Sequence, residues 1–399
     1  MTTTSNFLAK SLWAGLLAVG LAACSGDTVT NGLQQEAAVS AEARGYLTLS
    51  ITPPAAESVT YGREVHTSAE ASVYDLRVYF FQLKDGGDAN NDADYLFTNA
   101  GKQTWKKEDG SALLGPTGTG VYSKRIAIPE GLENKKVKIM LLANDPNEEY
   151  TTEGTPLNTF KEQLWKNTLT TTASIYPSNE IVEINGQRRF PMSAMGEDYS
   201  GSGSGSEIIT LTTGTDTPVQ VRANLVRNVA RLDILNDTPN LTITSAVLSN
   251  TPKQSYLFPK SPLETPSTAR TVFYPISEYS TALPLSYATP GSGETAQQAN
   301  TKTAFYMYEQ PKATQQSTAP RVLIGYQLQV GDNTQSGTLN VYFRSNGEYI
   351  DLQRNYLYRI RLGDGTDVSG FVKVVFELVD WETQEILAVL DSNTDPADN

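Results

Sequence analysis

Tyr46-Leu47-Thr48-Leu49-Ser50-Ile51-Thr52 alternates without a break. Leu47, Leu49 and Ile51 fall on one face and Tyr46, Thr48, Ser50 and Thr52 on the other, the period of a strand with one side against a core. Pro53-Pro54 ends it, since neither ring nitrogen can donate to a ladder. The flanks, Ser25 to Arg44 and Ala55 to Ala71, are small and polar, with no period of 2 or 3.6. They read as a tether and a long connection. A connection of that kind leaves Arg63 open to a trypsin-like protease, with Arg44 as a rival cleavage site. Leu47, Leu49 and Ile51 then form the apolar face of a strand that can be separated from the chain behind it.

Upstream, Phe7 to Ala23 is apolar but for Lys10 and Ser11 and closes on Leu21-Ala22-Ala23-Cys24, a secretory signal with a lipobox. The run is short for a spanning helix, which needs about 20 apolar residues. Cys24 is the only cysteine in the 399 residues, so it has no intramolecular disulfide partner. A lone thiol bound for an oxidising compartment is better explained by acylation, such as palmitoylation, than by redox chemistry. The expected organisation is a signal peptide over 1–23, a lipidated propeptide over 24–63 carrying the strand 46–52, and two domains, 64–215 and 216–399.

The formal net charge is −13, and the only basic cluster is Lys135, Lys136 and Lys138, which argues against nucleic acid as a partner. Twenty tyrosines, with abundant threonine and scattered Gly and Pro, indicate an all-β chain, and the length leaves room for two domains after the leader. Strands are expected at Val73 to Leu83, with Tyr74, Leu76, Val78 and Phe80 facing in, at Val121 to Ile128, Val137 to Ala143 and Glu207 to Thr213. One helix is expected over Pro156 to Trp165, capped by Thr155, with Pro156 at its first position and Phe160 and Leu164 stacked on one face. It should cover an edge or end of the first sandwich.

The second domain is read as strands at Val219 to Leu235, Leu241 to Leu248, Thr303 to Tyr308 and Arg321 to Val330. Leu339 to Phe343 and Tyr349 to Leu352 follow, joined through Ser345-Asn346-Gly347, then Tyr356 to Leu362 and Phe371 to Trp381. In Arg321 to Val330 the inward face is Val322, Ile324, Tyr326, Leu328 and Val330. A last apolar run, Ile386-Leu387-Ala388-Val389-Leu390, precedes a polar tail.

Little here suggests catalysis, and neither an enzyme, a cofactor nor a metal is expected. His66 is the only histidine, placed beside the presumed cut, where a Ser-His-Asp arrangement would have to be built on a mobile end. Asp88 to Asp94 imitates the first ligands of an EF-hand, but Ala93 stands where glycine is required and Asn99 where the closing glutamate belongs. A solvated loop is the better reading. Nothing singles out a pair of carboxylates for sugar hydrolysis among 44 Asp and Glu.

Taken in order, Leu21 to Cys24, the strand Tyr46 to Thr52 with Arg63 behind it, Phe190-Pro191-Met192-Ser193 and Arg227-Asn228-Val229-Ala230-Arg231 form a pattern. It continues through Phe305-Tyr306-Met307-Tyr308-Glu309, Arg354-Asn355-Tyr356 and Val379-Asp380-Trp381. The chain resembles the fimbrillin family, the lipoprotein-derived major fimbrial subunits of Bacteroidales-type (type V) pili. The resemblance implies two transthyretin-like sandwiches, export as a lipoprotein to the outer membrane, trimming by an arginine-specific protease, and incorporation into a surface fimbrium. It also implies polymerisation with copies of itself or related subunits by donor-strand exchange, and a part in adhesion. The donor is then expected from the C-terminal region, with Ile386 to Leu390 as the candidate. The Gly201 to Gly205 run is not expected of the family. A second reading is a surface lipoprotein of an outer-membrane uptake system that binds glycans through Trp105 or Trp165, against which core packing of both tryptophans must be set.

Overall fold

The computed structural model describes residues 45–52, 72–114, 122–145, 150–165, 190–199, 205–213, 218–252, 254–266, 274–275, 284–345, 347–363, 374–380 and 385–388. Within these, the sequence-predicted first strand is present as β1 (Tyr46–Thr52). It is followed by β2 (Asp75–Leu83), β3 (Tyr95–Lys106), β4 (Tyr122–Ala127), β5 (Lys136–Ala143), helix α1 (Leu157–Lys161), β6 (Met192–Asp198), β7 (Ile209–Thr210), β8 (Val219–Asn224) and β9 (Val226–Arg227). These strands form a nine-stranded sheet in the order β3-β2-β5-β6-β8-β1-β4, with β7 on β5 and β9 on β6.

β6 joins the two parts of that sheet. Its first half, Met192 to Met195, pairs with β5, and its second half, Gly196 to Asp198, pairs with β8. Gly196 sits at the handover, where a Cβ would come within 3.1 Å of both the Ile139 and Val221 side chains, so a larger residue would need those neighbours to give by a few tenths of an ångström. Leu76, Val78 and Phe80 of β2, Ile139 and Leu141 of β5 and the apolar face of β1 all enter one buried cluster.

The remaining elements are β10 (Val229–Asn236), β11 (Leu241–Ser249), β12 (Tyr274–Pro275), β13 (Leu285–Ser286), helix α2 (Ala296–Asn300), β14 (Thr301–Tyr308), β15 (Arg321–Val330), β16 (Asn333–Tyr342), β17 (Arg344–Ser345), β18 (Glu348–Tyr349), β19 (Tyr356–Leu362), β20 (Val374–Asp380) and β21 (Glu385–Ala388). One sheet is ordered β14-β10-β19-β20-β21 and a second β12-β11-β15-β16 with β13 on β11. Ile234 and Ile360 from the first and Ile243 and Ile324 from the second share the same core. The chain is all-β with short helices, as composition implied.

Several local readings change. Val219 to Leu235 is not one strand: β8 lies beside β1, β9 beside β6, and β10 in a different sheet. The boundary expected between 215 and 216 falls just before β8, which pairs with β1 and β6, and the change of sheet comes at Asn228. Apolar alternation continues through the handover, so the pattern alone cannot reveal it. Glu207 to Thr213 shrinks to the two residues of β7. The Ser345 to Gly347 turn joins two-residue strands, because the strand before it spends its length pairing with β15 from Asn333 to Tyr342. Along β15, Tyr326 and Leu328 are only half-buried and Val330 is exposed, so the far end of the β15-β16 hairpin runs past the core.

Both faces of β2 are buried, not one. Tyr79 and Phe81, on the face opposite Val78, meet Phe160 of α1 at ring distances of 5.2 and 5.1 Å. The helix thus covers the outer face of the sheet. It is also shorter than predicted, starting at Leu157 with Pro156 as its N-cap and no side-chain cap bond. The Thr155 hydroxyl instead donates to the carbonyl of Thr152 at 2.7 Å. Phe258, from the segment after β11, adds a further ring 5.9 Å from Phe160.

Phe160→Ala should leave a cavity in this aromatic cluster and cost about 3 to 5 kcal/mol. Urea unfolding is the check, and a loss below about 1 kcal/mol would contradict the packing described.

Candidate functional site

β1 is an internal strand made of residues distant in sequence from both neighbours. It runs antiparallel to β4, from Tyr46 opposite Ala127 to Ile51 opposite Tyr122, and parallel to β8, from Leu47 opposite Val219 to Thr52 opposite Asn224. Its ends are tied as well: Ile128 N–H donates to the Gly45 carbonyl at 3.1 Å, and Leu225 N–H to the Thr52 carbonyl at 2.9 Å. Leu47, Leu49 and Ile51 are each fully buried. At about 1.5 to 3 kcal/mol per side chain, the apolar face contributes several kcal/mol before the two ladders are considered.

The outward face of β1 makes weaker contacts. The Arg125 guanidinium lies 3.8 Å from the Tyr46 ring centre, and the Ser50 and Ser123 hydroxyls are 3.0 Å apart. Beside Leu49, Lys124 carries its ammonium 4.4 Å over the Trp105 ring, and burial pulls its pKa below the ordinary lysine value. Removing β1 would expose one edge each of β4 and β8 together with the apolar slot between them.

At the other end of the chain, β20 pairs with β19 from Val374 opposite Leu362 to Asp380 opposite Tyr356. Ile386, Leu387 and Ala388 lie in β21, paired with β20 from Ala388 opposite Phe376 to Glu385 opposite Val379. Among the described residues β21 is the edge of its sheet, held on one side only. Phe371 and Trp381, and Val389 and Leu390 of the candidate donor, lie outside the described residues, as do Cys24, Arg44, Arg63 and His66. β1 and β21 thus occupy different sheets of the same chain.

A buried polar clamp ties Arg354 and Glu309 to the segment after β11 through partners far apart in the sequence. Arg354 Nε donates to Glu309 Oε2 at 2.8 Å and its terminal nitrogen to Oε1 at 2.5 Å. The same guanidinium donates to the Leu257 carbonyl at 3.1 Å, the Tyr256 carbonyl at 2.8 Å and the Ser255 hydroxyl at 2.8 Å. Both charges are nearly excluded from solvent, and the five bonds offset the cost of burying them. The clamped segment places Leu257 and Phe258 against α1, and Trp165 N–H donates to the Ser255 carbonyl at 3.0 Å. Close by, Arg227 donates to the Asn355 side-chain carbonyl at 2.9 Å, and Asn355, at φ 62°, donates its own N–H to Val229 at 2.8 Å. The signal was present as isolated Arg, Glu and Asn residues beside alternating strands, but their pairing spans 45 to 128 positions.

Other candidates resolve into structure. Trp105 and Trp165 are buried, which leaves neither indole as a platform for a glycan. In the Asp88 to Asp94 loop, Asp92 receives Lys138 at 2.6 Å and Lys161 at 2.8 Å, and Asp94 receives Lys84 at 2.6 Å. Burial alone would raise the pKa of Asp92, but the two lysines hold it below the ordinary value. Among the described residues no group of three or more His, Cys, Asp or Glu could hold a metal ion. Nor is any described helix long and apolar enough to cross a membrane.

Among solved structures, the chain is similar to the tip fimbrial protein Mfa3 of Porphyromonas gingivalis with C-terminal truncation, at 14% identity and a TM-score of 0.47, covering 84% of this chain and 100% of that one. It is similar to a fimbrial assembly protein of Parabacteroides distasonis at 15% identity and a TM-score of 0.42, covering 86% and 99%. The fimbrial anchor protein Mfa2 of Porphyromonas gingivalis matches at 12% identity and a TM-score of 0.34, covering 86% and 99%. No curated protein matches the sequence. The family model for fimbrillin-A associated anchor proteins Mfa1 and Mfa2 matches residues 46–386, from the first residue of β1 into β21. With well over half of its length matched, the chain belongs to the family of fimbrillin-A associated anchor proteins Mfa1 and Mfa2.

Proposed function

We propose that this fimbrial component is exported as a lipoprotein acylated at Cys24, held at the outer membrane, cleaved after Arg63 and assembled into the fimbrium by strand replacement. The slot emptied when β1 leaves is then filled by the C-terminal run Ile386 to Leu390 of another copy or of a related subunit. The observation that carries this reading is β1 itself. It is hydrogen-bonded along both edges and buries three aliphatic side chains, yet it joins the body only through 53–71, the segment that contains Arg63. A cut there leaves a strand held by non-covalent contacts alone. The alternating face of a supplied strand can restore the same contacts, since main-chain ladders carry affinity for any sequence of suitable pattern.

A role as enzyme finds no support in this geometry. The glycan-binding alternative through Trp105 or Trp165 loses its premise, because both indoles are core residues.

Arg63→Ala should give a folded monomer that fails to form fibres, whereas deleting Glu385 to Asn399 should permit cutting but weaken or abolish polymerisation. Both are read from ladders on an unboiled denaturing gel. Normal fibres from Arg63→Ala would overturn the assignment, and wild-type N-termini mapping to Gly45 would transfer it to Arg44. Cutting at Arg44 leaves β1 attached and the slot filled.

Cys24→Ala should leave the precursor without lipid and deplete the surface form, because acylation of this thiol supplies the anchor. Surface labelling of cells carrying the variant is the check, and a normal surface yield would contradict the lipoprotein reading.

A further inference from the structure

The β11-β15-β16 sheet carries a polar cleft away from the β1 slot. Ser249, Arg321 and Tyr342 stand abreast across three strands, since Arg321 is directly opposite both of the others. The turn Gln316–Thr318 folds toward them, with Gln316 Nε2 donating to the Tyr342 hydroxyl at 3.2 Å. Asn250 fixes that turn through bonds from its amide to the Ser317 carbonyl at 3.3 Å and the Ala319 carbonyl at 3.0 Å. Together Asn250, Gln316, Ser317, Arg321 and Tyr342 line an open cleft of about 520 Å³. That volume lies in the range of small-ligand sites.

The guanidinium of Arg321 is only partly used by the fold. Its Nε donates to the Ser249 hydroxyl at 3.2 Å, which fixes the plane of the group. Its terminal nitrogens make no hydrogen bond or ion pair with any described residue. Elsewhere the paired arginines Arg354, Arg231 and Arg222 each face a carboxylate. A second arginine lies nearby, 5.6 Å from the Tyr342 ring centre and stacked 4.4 Å from Tyr349, with its own bond going to the Tyr349 hydroxyl. This pair of cations, with no acidic partner among the described residues, occurs in a chain of net charge −13.

We infer that this cleft is a binding site for a saccharide bearing a carboxylate, with the Arg321 fork receiving the carboxylate and Tyr342 packing against the ring. A planar, oriented guanidinium matches a carboxylate through two parallel hydrogen bonds. The Gln316 amide oxygen and Ser317 hydroxyl suit the hydroxyl groups of a sugar, and an aromatic face suits its apolar C–H side. The acidic surface disfavours polyanions, so a single negative charge is the better match. The inference rests on the surface display in the proposed function but not on cleavage or polymerisation.

Purified uncut chain titrated with the methyl glycosides of N-acetylneuraminic acid and glucuronic acid should bind them, followed by saturation-transfer NMR and calorimetry. Methyl glucoside and acetate should each bind at least tenfold more weakly. Arg321→Gln should reduce acidic-sugar binding at least tenfold and Gln316→Ala, at an exposed position, by a smaller factor, with circular dichroism unchanged. Absence of acidic-sugar binding to the wild-type chain would overturn the inference, as would equal binding of methyl glucoside or acetate, or binding untouched by both variants. Tighter binding of a peptide C-terminal carboxylate would likewise overturn it and point to a protein ligand. Because the assay uses monomer, its failure leaves polymerisation untouched, and a failure to polymerise leaves its outcome unaffected.

Discussion

The double ladder around β1 is the constraint on which the rest depends. A strand between two others must satisfy hydrogen bonds on both edges and match one face to the core, so its register is fixed by three requirements at once. Leu47, Leu49 and Ile51 meet the third by strict alternation, while β4 and β8 meet the first two. A sheet missing this strand would expose two unpaired edges and an apolar trough, a state that persists only if another strand takes the place. The same geometry that makes β1 stabilising would, under the proposed strand replacement, make its slot a receptor.

A receptor of this kind needs walls that hold their shape when empty. β8 is supported by β6, which Gly196 allows to serve both parts of the nine-stranded sheet. Beyond it, Arg227 and Asn355 tie the end of that sheet to β10, and the Arg354–Glu309 pair pins Ser255 to Phe258 against α1. Buried, fully bonded charge pairs fix geometry more than they add stability. Here they bind distant segments of chain to one another.

The sequence was most legible where a local period coincided with one-sided burial. β1 and β4 emerged for that reason, whereas β5, buried on both faces, was legible as a short apolar run between turn signals. β2 reads as one-faced, because nothing local shows that Tyr79 and Phe81 would meet Phe160, or that Phe160 would in turn meet Phe258. Val219 to Leu235 reads as a single strand because alternation survives while the hydrogen-bond partners change. β3 and β6 were missed: the polar stretch Thr98 to Thr104 hides the first, and the second is marked only by a Gly in mid-strand. The apolar face of β1 could be named in advance, whereas its neighbour β8, the clamp and the Arg321 cleft arise from long-range pairing that no local pattern encodes.

Hydrogen–deuterium exchange along Tyr122–Ala127 and Val219–Asn224 tests the central claim most directly. Those amides should be protected in the uncut chain, exchange freely once the fragment ending at Arg63 has been removed, and regain protection when a peptide spanning Glu385 to Asp391 is added. Protection that is indifferent to loss of the fragment, or that the peptide fails to restore, would contradict strand replacement as the basis of assembly.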